Sequence, residues 1–150
     1  YYASRGLGDV YKRQTERRKS MNTEKETGVS SLEGASAREL ADAIVRILDE
    51  KKARDIKLLK FAEGNDLTEY FVICTGTSNT QIKGLAGEVE YKLGERGVHP
   101  LHVDGFDSGM WIAMDFAHVI VHIFHKSERD FYKLEKLWND AEEIPLEPQE

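Results

Sequence analysis

A single cysteine, Cys74, closes off two readings of the chain at the outset. One thiol builds neither a disulfide framework nor a zinc quartet, and its setting, F-V-I-C-T, reads as a small buried hydrophobe. Such usage fits a reducing, cytosolic compartment. Long apolar runs are missing as well: none approaches the roughly 18–20 residues that span a bilayer, so no membrane partner is expected. Nor is there a surplus of positive charge. The 27 acidic residues outnumber the 21 basic ones for a net charge of −6, which opposes general nucleic-acid binding, where Lys and Arg neutralise phosphates. The same balance suits a basic protein partner, or serves solubility alone. Neither G-x-x-x-x-G-K-[ST] nor G-x-G-x-x-G occurs, and no internal repeat is visible.

What is present is organised around Met110–Phe124, M-W-I-A-M-D-F-A-H-V-I-V-H-I-F. Two apolar runs, Met110–Met114 and Val119–Phe124, flank a short D-F-A-H break, the pattern of two strands joined by a tight turn. Alternation puts Val119, Val121 and Ile123 on one face and Ile120, His122 and Phe124 on the other. A strand apolar on both faces belongs in the middle of a sheet. The Trp-bearing strand of this hairpin, expected to be exposed, is the favoured working surface.

The rest of the chain supplies the partners. Residues 1–35 lack periodicity and read as disordered. The opening Y-Y-A-S-R-G-L-G-D-V-Y-K-R-Q resembles translated adapter sequence, so residues 1–20 stand outside the fold reading and the native start is expected at Met21. Structure is expected from Ser36, where S-A-R-E is a capping box. Leu40, Ile44, Ile47 and Leu48 follow at helical spacing, with the helix ending near Arg54. Asp55–Phe61 reads as a strand, Glu63–Asp66 as a loop and Glu69–Thr75 as a more buried strand. Ser78-x-x-Gln81 caps a second helix with Ile82, Leu85, Ala86, Val89 and Leu93 inward and Gly97 as its stop. Val98–Asp104 is a third strand, with Pro100, which lacks a donor, expected at an edge or at the strand's beginning. After the hairpin, Ser127-x-x-Asp130 is expected to cap a last helix carrying Phe131, Leu134, Leu137 and Trp138, before a loose tail over 142–150. The sum is a single α/β domain over 36–141 with a five-stranded mixed sheet flanked by helices. Its roughly 110 residues suffice for one core.

Candidate chemistry is weaker. Thr75-Gly76-Thr77-Ser78-Asn79, a strand-to-helix turn, has the form of a phosphate cradle, yet Ser78 as a helix cap explains the same residues. His99 and His102, and His122 and His125, are spaced by three. In extended strands that spacing sends the two rings to opposite faces, so neither pair is a ready chelate, and core-edge roles are preferred. A His122–Ser78 nucleophilic pair stays open but lacks a nucleophile elbow. Asp104, Asp107 and Asp115 suggest a Mg²⁺ site, although Asp in a Gly-bounded turn is expected for local hydrogen bonding. No catalytic residue, metal or cofactor is therefore expected. Trp111, beside Phe106 and Phe116, stands equally well as an interface anchor or a core residue.

Four blocks, taken together, carry a resemblance: T-E-Y-F-V-I-C-T-G-T-S-N-T-Q, then G-M-W-I-A-M-D, V-I-V-H-I-F and F-Y-K-L-E-K-L-W. In this order and spacing the chain resembles the ribosomal silencing factor (Iojap) family across about Ala35–Ala141. The resemblance implies a nucleotidyltransferase-like fold without the catalytic carboxylate motif. It further implies a non-enzymatic repressor that binds the large ribosomal subunit, chiefly through large-subunit ribosomal protein fourteen, and blocks small-subunit joining by bulk. Homodimers belong to the same expectation. The partner-binding positions it implies here are Glu69, Tyr70, Trp111, Ile112, Asp115 and Phe116, with Trp111 as apolar anchor and Glu69 and Asp115 offering carboxylates to Arg or Lys. The chain departs from the pattern at one turn, where D-Y-G-D becomes Asp115-Phe116-Ala117-His118. The lost Gly predicts that a left-handed backbone is not needed there. The lost acid puts a charge contact at His118 in question. Competing readings are a nucleotidyltransferase-like enzyme or nucleotide binder using Thr77–Asn79, and a plain dimerisation module with an exposed edge strand.

Overall fold

The computed structural model describes residues 30–62, 64, 68–134 and 141–146. The expected 63–66 loop apart from Gly64, the Leu137 and Trp138 positions, the N-terminal segment through residue 29 and the last four residues lie outside them. In order come α1 (Ala37–Glu50), β1 (Arg54–Lys60), β2 (Tyr70–Gly76), α2 (Asn79–Glu95), β3 (His102–Asp104), β4 (Trp111–Asp115), β5 (Val119–His125), α3 (Lys126–Tyr132) and β6 (Glu142–Ile144). Among the described residues, no helix is long and apolar enough to cross a membrane.

One mixed sheet runs in the order β3-β4-β5-β2-β1-β6. It has six strands, where five were expected. The sixth comes from the supposed tail: Leu58 pairs with Ile144 and Lys60 with Glu142, antiparallel. E-E-I is too short to announce a strand, and only its place beside β1 makes it one. β2 and β5 pair in parallel from Tyr70↔Val119 to Gly76↔His125, with α2 in the crossover between them. The central hairpin is present, with Trp111 opposite Phe124 and Asp115 opposite Ile120. β5 and β2 occupy the middle of the sheet, the place that their two-sided apolar character demands.

The two faces differ in cover. Val119, Val121 and Ile123 join Val72, Cys74 and Met114 in the larger core, which α1 and α2 roof with residues such as Ile44 and Val89. On the other face a smaller cluster gathers Leu59, Phe61, Phe71, Ile73, Phe124 and Leu134. There α3 sits over one end, anchored by the buried Arg129, which donates to the Asp55 carbonyl at 2.6 Å and to Thr75 Oγ1 at 2.7 Å. Cys74 is packing, as its setting implied: burial pushes its thiol up to about 12, against the opposing pull of the Arg129 charge.

Both helix starts that the capping boxes mark are present. Ser36 accepts from the Glu39 N–H and Ser78 from the Gln81 N–H, each at 3.1 Å. α1 stops at Glu50 rather than near Arg54, because Lys52 turns left-handed and Ala53 N–H closes back on the Leu48 carbonyl. Gly97, at φ +87°, ends α2 in the same way. Packing also extends upstream of Ser36: Leu32 is buried and its N–H donates to the Arg96 carbonyl at 2.7 Å. The third strand shortens to His102–Asp104 at the sheet edge. The last helix differs most. The chain passes from β5 into α3 without a loop, so the cap is His125, whose Nδ1 accepts from the Ser127 N–H, and not Ser127 with Asp130. Phe131, expected on the buried stripe, is 79 % exposed.

Candidate partner interface

The turn between β4 and β5 is tighter than its sequence suggests. His118 N–H donates to the Phe116 carbonyl at 3.0 Å, closing a three-residue loop around Ala117, and Phe116 N–H donates to the Val119 carbonyl at 2.9 Å. Ala117 has φ +72°. The expectation that this position avoids the left-handed region is therefore wrong: the conformation is kept and an alanine bears it. Three-residue turns with positive φ are rare and strained, and a Cβ there costs about 1–2 kcal/mol.

Four contacts hold the strained turn. Asp115 Oδ1 accepts from the Ala117 N–H at 2.7 Å. The His118 carbonyl accepts from both Glu69 N–H and Tyr70 N–H at 3.1 Å, tying the turn to the start of β2. The His118 side chain then reaches Glu69, Nδ1 to Oε2, at 2.9 Å, with both side chains mostly in solvent. So the base that stands where the resemblance expects an acid pairs with the neighbouring acid.

Of the six positions implied as partner-binding, the structure leaves three at the surface. Glu69 is exposed, and Trp111 and Asp115 are half-buried. Tyr70, Ile112 and Phe116 are buried in the helix-covered core, where they support the surface rather than form it. Glu69 and Asp115 both adjoin the turn, Asp115 through the Ala117 N–H and Glu69 through His118. Trp111 is four residues along β4 from Asp115, or about 13 Å at strand rise.

Trp111 is not free-standing. Its ring stacks on Phe124 (centroids 4.8 Å, 26°) and tilts against Tyr132 at 4.9 Å. Its Nε1–H donates to His122 Nδ1 at 3.1 Å. His122 is 7 % exposed, and burial holds its pKa down at about 4, so it is neutral at pH 7. The Trp111–His122 contact and the His118–Glu69 pair were both missed in the sequence. The first was within reach: with the hairpin register set, alternation puts Trp111 and His122 on one face as diagonal neighbours.

The other candidate chemistry disperses. His122 and Ser78 do not pair: Ser78 caps α2, while His122 serves Trp111. Just ahead of α2, Thr77 N–H and Oγ1 both donate to Gln81 Oε1, and Ser78 Oγ accepts from the Gln81 N–H. Among the described residues, no three His, Cys, Asp or Glu side chains group as a metal site. Gly105 is required by space: a Cβ there falls on the Trp111 carbonyl oxygen.

The class defined by these features is a small mixed α/β domain with acidic and aromatic side chains at the rim of its sheet. The chain belongs to the ribosomal silencing factor family: the model described as "Ribosomal silencing factor during starvation" matches residues 34–150. It is 41% identical over 93 residues to the ribosomal silencing factor RsfS of Bacillus subtilis, covering 62% of this chain and 79% of that one. A mouse protein named "Mitochondrial assembly of ribosomal large subunit protein 1" is 32% identical over 100 residues, covering 65% of this chain and 44% of that protein. A crystallised protein from Chromobacterium violaceum has the same fold, with a TM-score of 0.67 at 31% identity, covering 76% of this chain and 95% of that one. Membership makes this a family of ribosome-associated regulators of translation.

Proposed function

We propose that this protein silences translation by binding the large ribosomal subunit, chiefly through large-subunit ribosomal protein fourteen, and by excluding the small subunit from the joining face. No covalent step is involved, and the fold's nucleotidyltransferase-like character carries no catalytic motif into it. The observation that carries this reading is the β4 rim of the sheet, where Trp111 and Asp115 are half-buried on the face opposite α1 and α2, with the exposed Glu69 beside the turn, in a net acidic chain. Such a surface matches a basic partner: carboxylates meet Arg or Lys at the rim and a half-buried indole supplies apolar area. Its span of about 13 Å fits easily within an interface of standard size. The mouse relative's name, with its large-subunit wording, supports the same partner. Action is placed in the compartment that holds the ribosomes, the cytoplasm.

Co-sedimentation of the full chain with purified large subunits tests the reading. Binding at micromolar concentration that Trp111→Ala reduces at least tenfold, with the circular dichroism of the variant unchanged, is the expected result. A folded parent that stays in the supernatant overturns it. The same gradients report self-association, through the sedimentation of the free chain. A nucleotide reading would require thermal stabilisation, about 2.7 kcal/mol at 100 times the Kd. Thr77 N–H and Oγ1, just ahead of α2, are engaged by Gln81 Oε1, and Ser78 Oγ is engaged by the Gln81 N–H, so none is expected.

A further inference from the structure

His122 is an expensive choice for the place it occupies. It stands mid-strand in β5, 7 % exposed, with the Phe71 ring edge-on at 4.6 Å and Phe124 at 6.0 Å. An aliphatic or phenyl side chain would fill the site without desolvating two ring nitrogens. Only one nitrogen is repaid. An indole N–H donates and never accepts, so His122 Nδ1 must be the acceptor and the imidazole carries its proton on Nε2. That Nε2 is buried and has no hydrogen-bond partner among the described residues. What the histidine contributes is therefore one acceptor, at one point, for one ring.

The ring in question needs it. Stacking on Phe124 and the tilted Tyr132 ring restrict the plane of Trp111, but aromatic contacts tolerate sliding and rotation within that plane. A directed hydrogen bond at Nε1 selects a single setting of the indole. An anchor already set before docking loses less side-chain freedom when it binds.

We infer that His122 is the positioning residue of the Trp111 anchor, its Nδ1 holding the indole so that one edge meets the partner in a fixed orientation. The inference rests on the silencing reading and names the device that prepares its contact face. Removing the acceptor is expected to weaken binding about 3- to 10-fold.

Four full-length variants test it: His122→Phe, which fills the site without an acceptor; His122→Asn, which offers an oxygen near the place of Nδ1; Trp111→Phe, which keeps a ring and loses the donor; and the double His122→Phe/Trp111→Phe. Affinity for purified large subunits is measured beside the indole N–H resonances of ¹⁵N-labelled protein. Trp111→Phe distinguishes the Trp111 signal from that of Trp138. The expected result is that His122→Phe, folded, shifts the Trp111 indole proton, speeds its exchange and weakens binding. His122→Asn restores both, and His122→Phe adds no loss in the Trp111→Phe background. Binding of folded His122→Phe at the parental level overturns the inference while leaving the silencing reading intact. Equal losses in both backgrounds also overturn it, because His122 would then act through the core. Should His122→Phe not fold, an indole proton unchanged in His122→Asn but a parental affinity lost there overturns it as well, and retention of both supports it. A parent chain that does not bind large subunits overturns the silencing reading, and this inference with it.

Discussion

β5 presents two faces to two environments, and they obey different rules. Toward α1 and α2 it offers Val119, Val121 and Ile123, all fully buried and all apolar. On the other face it offers Ile120, His122 and Phe124, where a buried imidazole holds a half-buried indole and, among the described residues, α3 sits over one end. The first face is uniform, and hydrophobic burial alone accounts for it. The second mixes rings, nitrogens and nearby carboxylates, and it carries the strained Ala117 turn at its rim. Strain and imperfect polar pairing collect on this second face, the one that carries the proposed contact surface.

Charging each face in turn gives the largest contrast. Ile123→Asp buries an unpaired carboxylate under the helices and should cost more than about 4 kcal/mol, enough to unfold a marginal domain. Ile120→Asp, at a partly exposed position of the second face, should leave a folded chain with a far smaller loss. Equal destabilisation in urea titrations would remove the distinction between the faces.

Acid acts on the second face next. The His122 pKa lies near 4 in the folded chain against 6.5 unfolded. Between these values the unfolded chain binds the extra proton, so stability rises with pH. The contribution is complete above pH 6.5 and falls away as pH drops toward 4, by roughly 3 kcal/mol. Denaturation midpoints followed from pH 7 to pH 4.5 should show this slope, and His122→Phe should flatten it. A slope unchanged in that variant would assign it to other groups.

Two smaller effects sharpen the account of the rim. Ala117→Gly relieves a left-handed Cβ and should raise stability by about 0.5–1 kcal/mol after the entropy of the added glycine is counted. A lower midpoint in the glycine variant would mean that the turn holds no strain. The His118–Glu69 pair is exposed on both sides, so a double-mutant cycle should give a coupling below about 1 kcal/mol. Stronger coupling would mean that the rim is less solvated than its exposure indicates.

The helix-covered face was legible in the sequence because periodicity writes it directly. Capping serines at Ser36 and Ser78, the stripe from Ile82 to Leu93 and the alternation of Val119, Val121 and Ile123 each specify burial locally. The second face was legible only in part. Trp111, Glu69 and Asp115 were singled out by resemblance, but Tyr70, Ile112 and Phe116, taken with them, are buried. No local signal separates an inward residue of a surface motif from an outward one until register is known. The β6 strand, the His125 cap and the pairing of His118 with Glu69 depend on contacts between segments distant in sequence or on turn geometry. Ala117 is instructive in another way: absence of glycine was taken as absence of positive φ, whereas the surrounding bonds impose that conformation on alanine.

Subunit joining puts the account's central claim under the most direct test. Large subunits are incubated with the full chain, small subunits are added, and the joined fraction is resolved on a sucrose gradient. The account predicts that joining falls with dose as the chain occupies the large subunit, and that folded Trp111→Ala restores it. Undiminished joining on large subunits that carry the bound chain would contradict it.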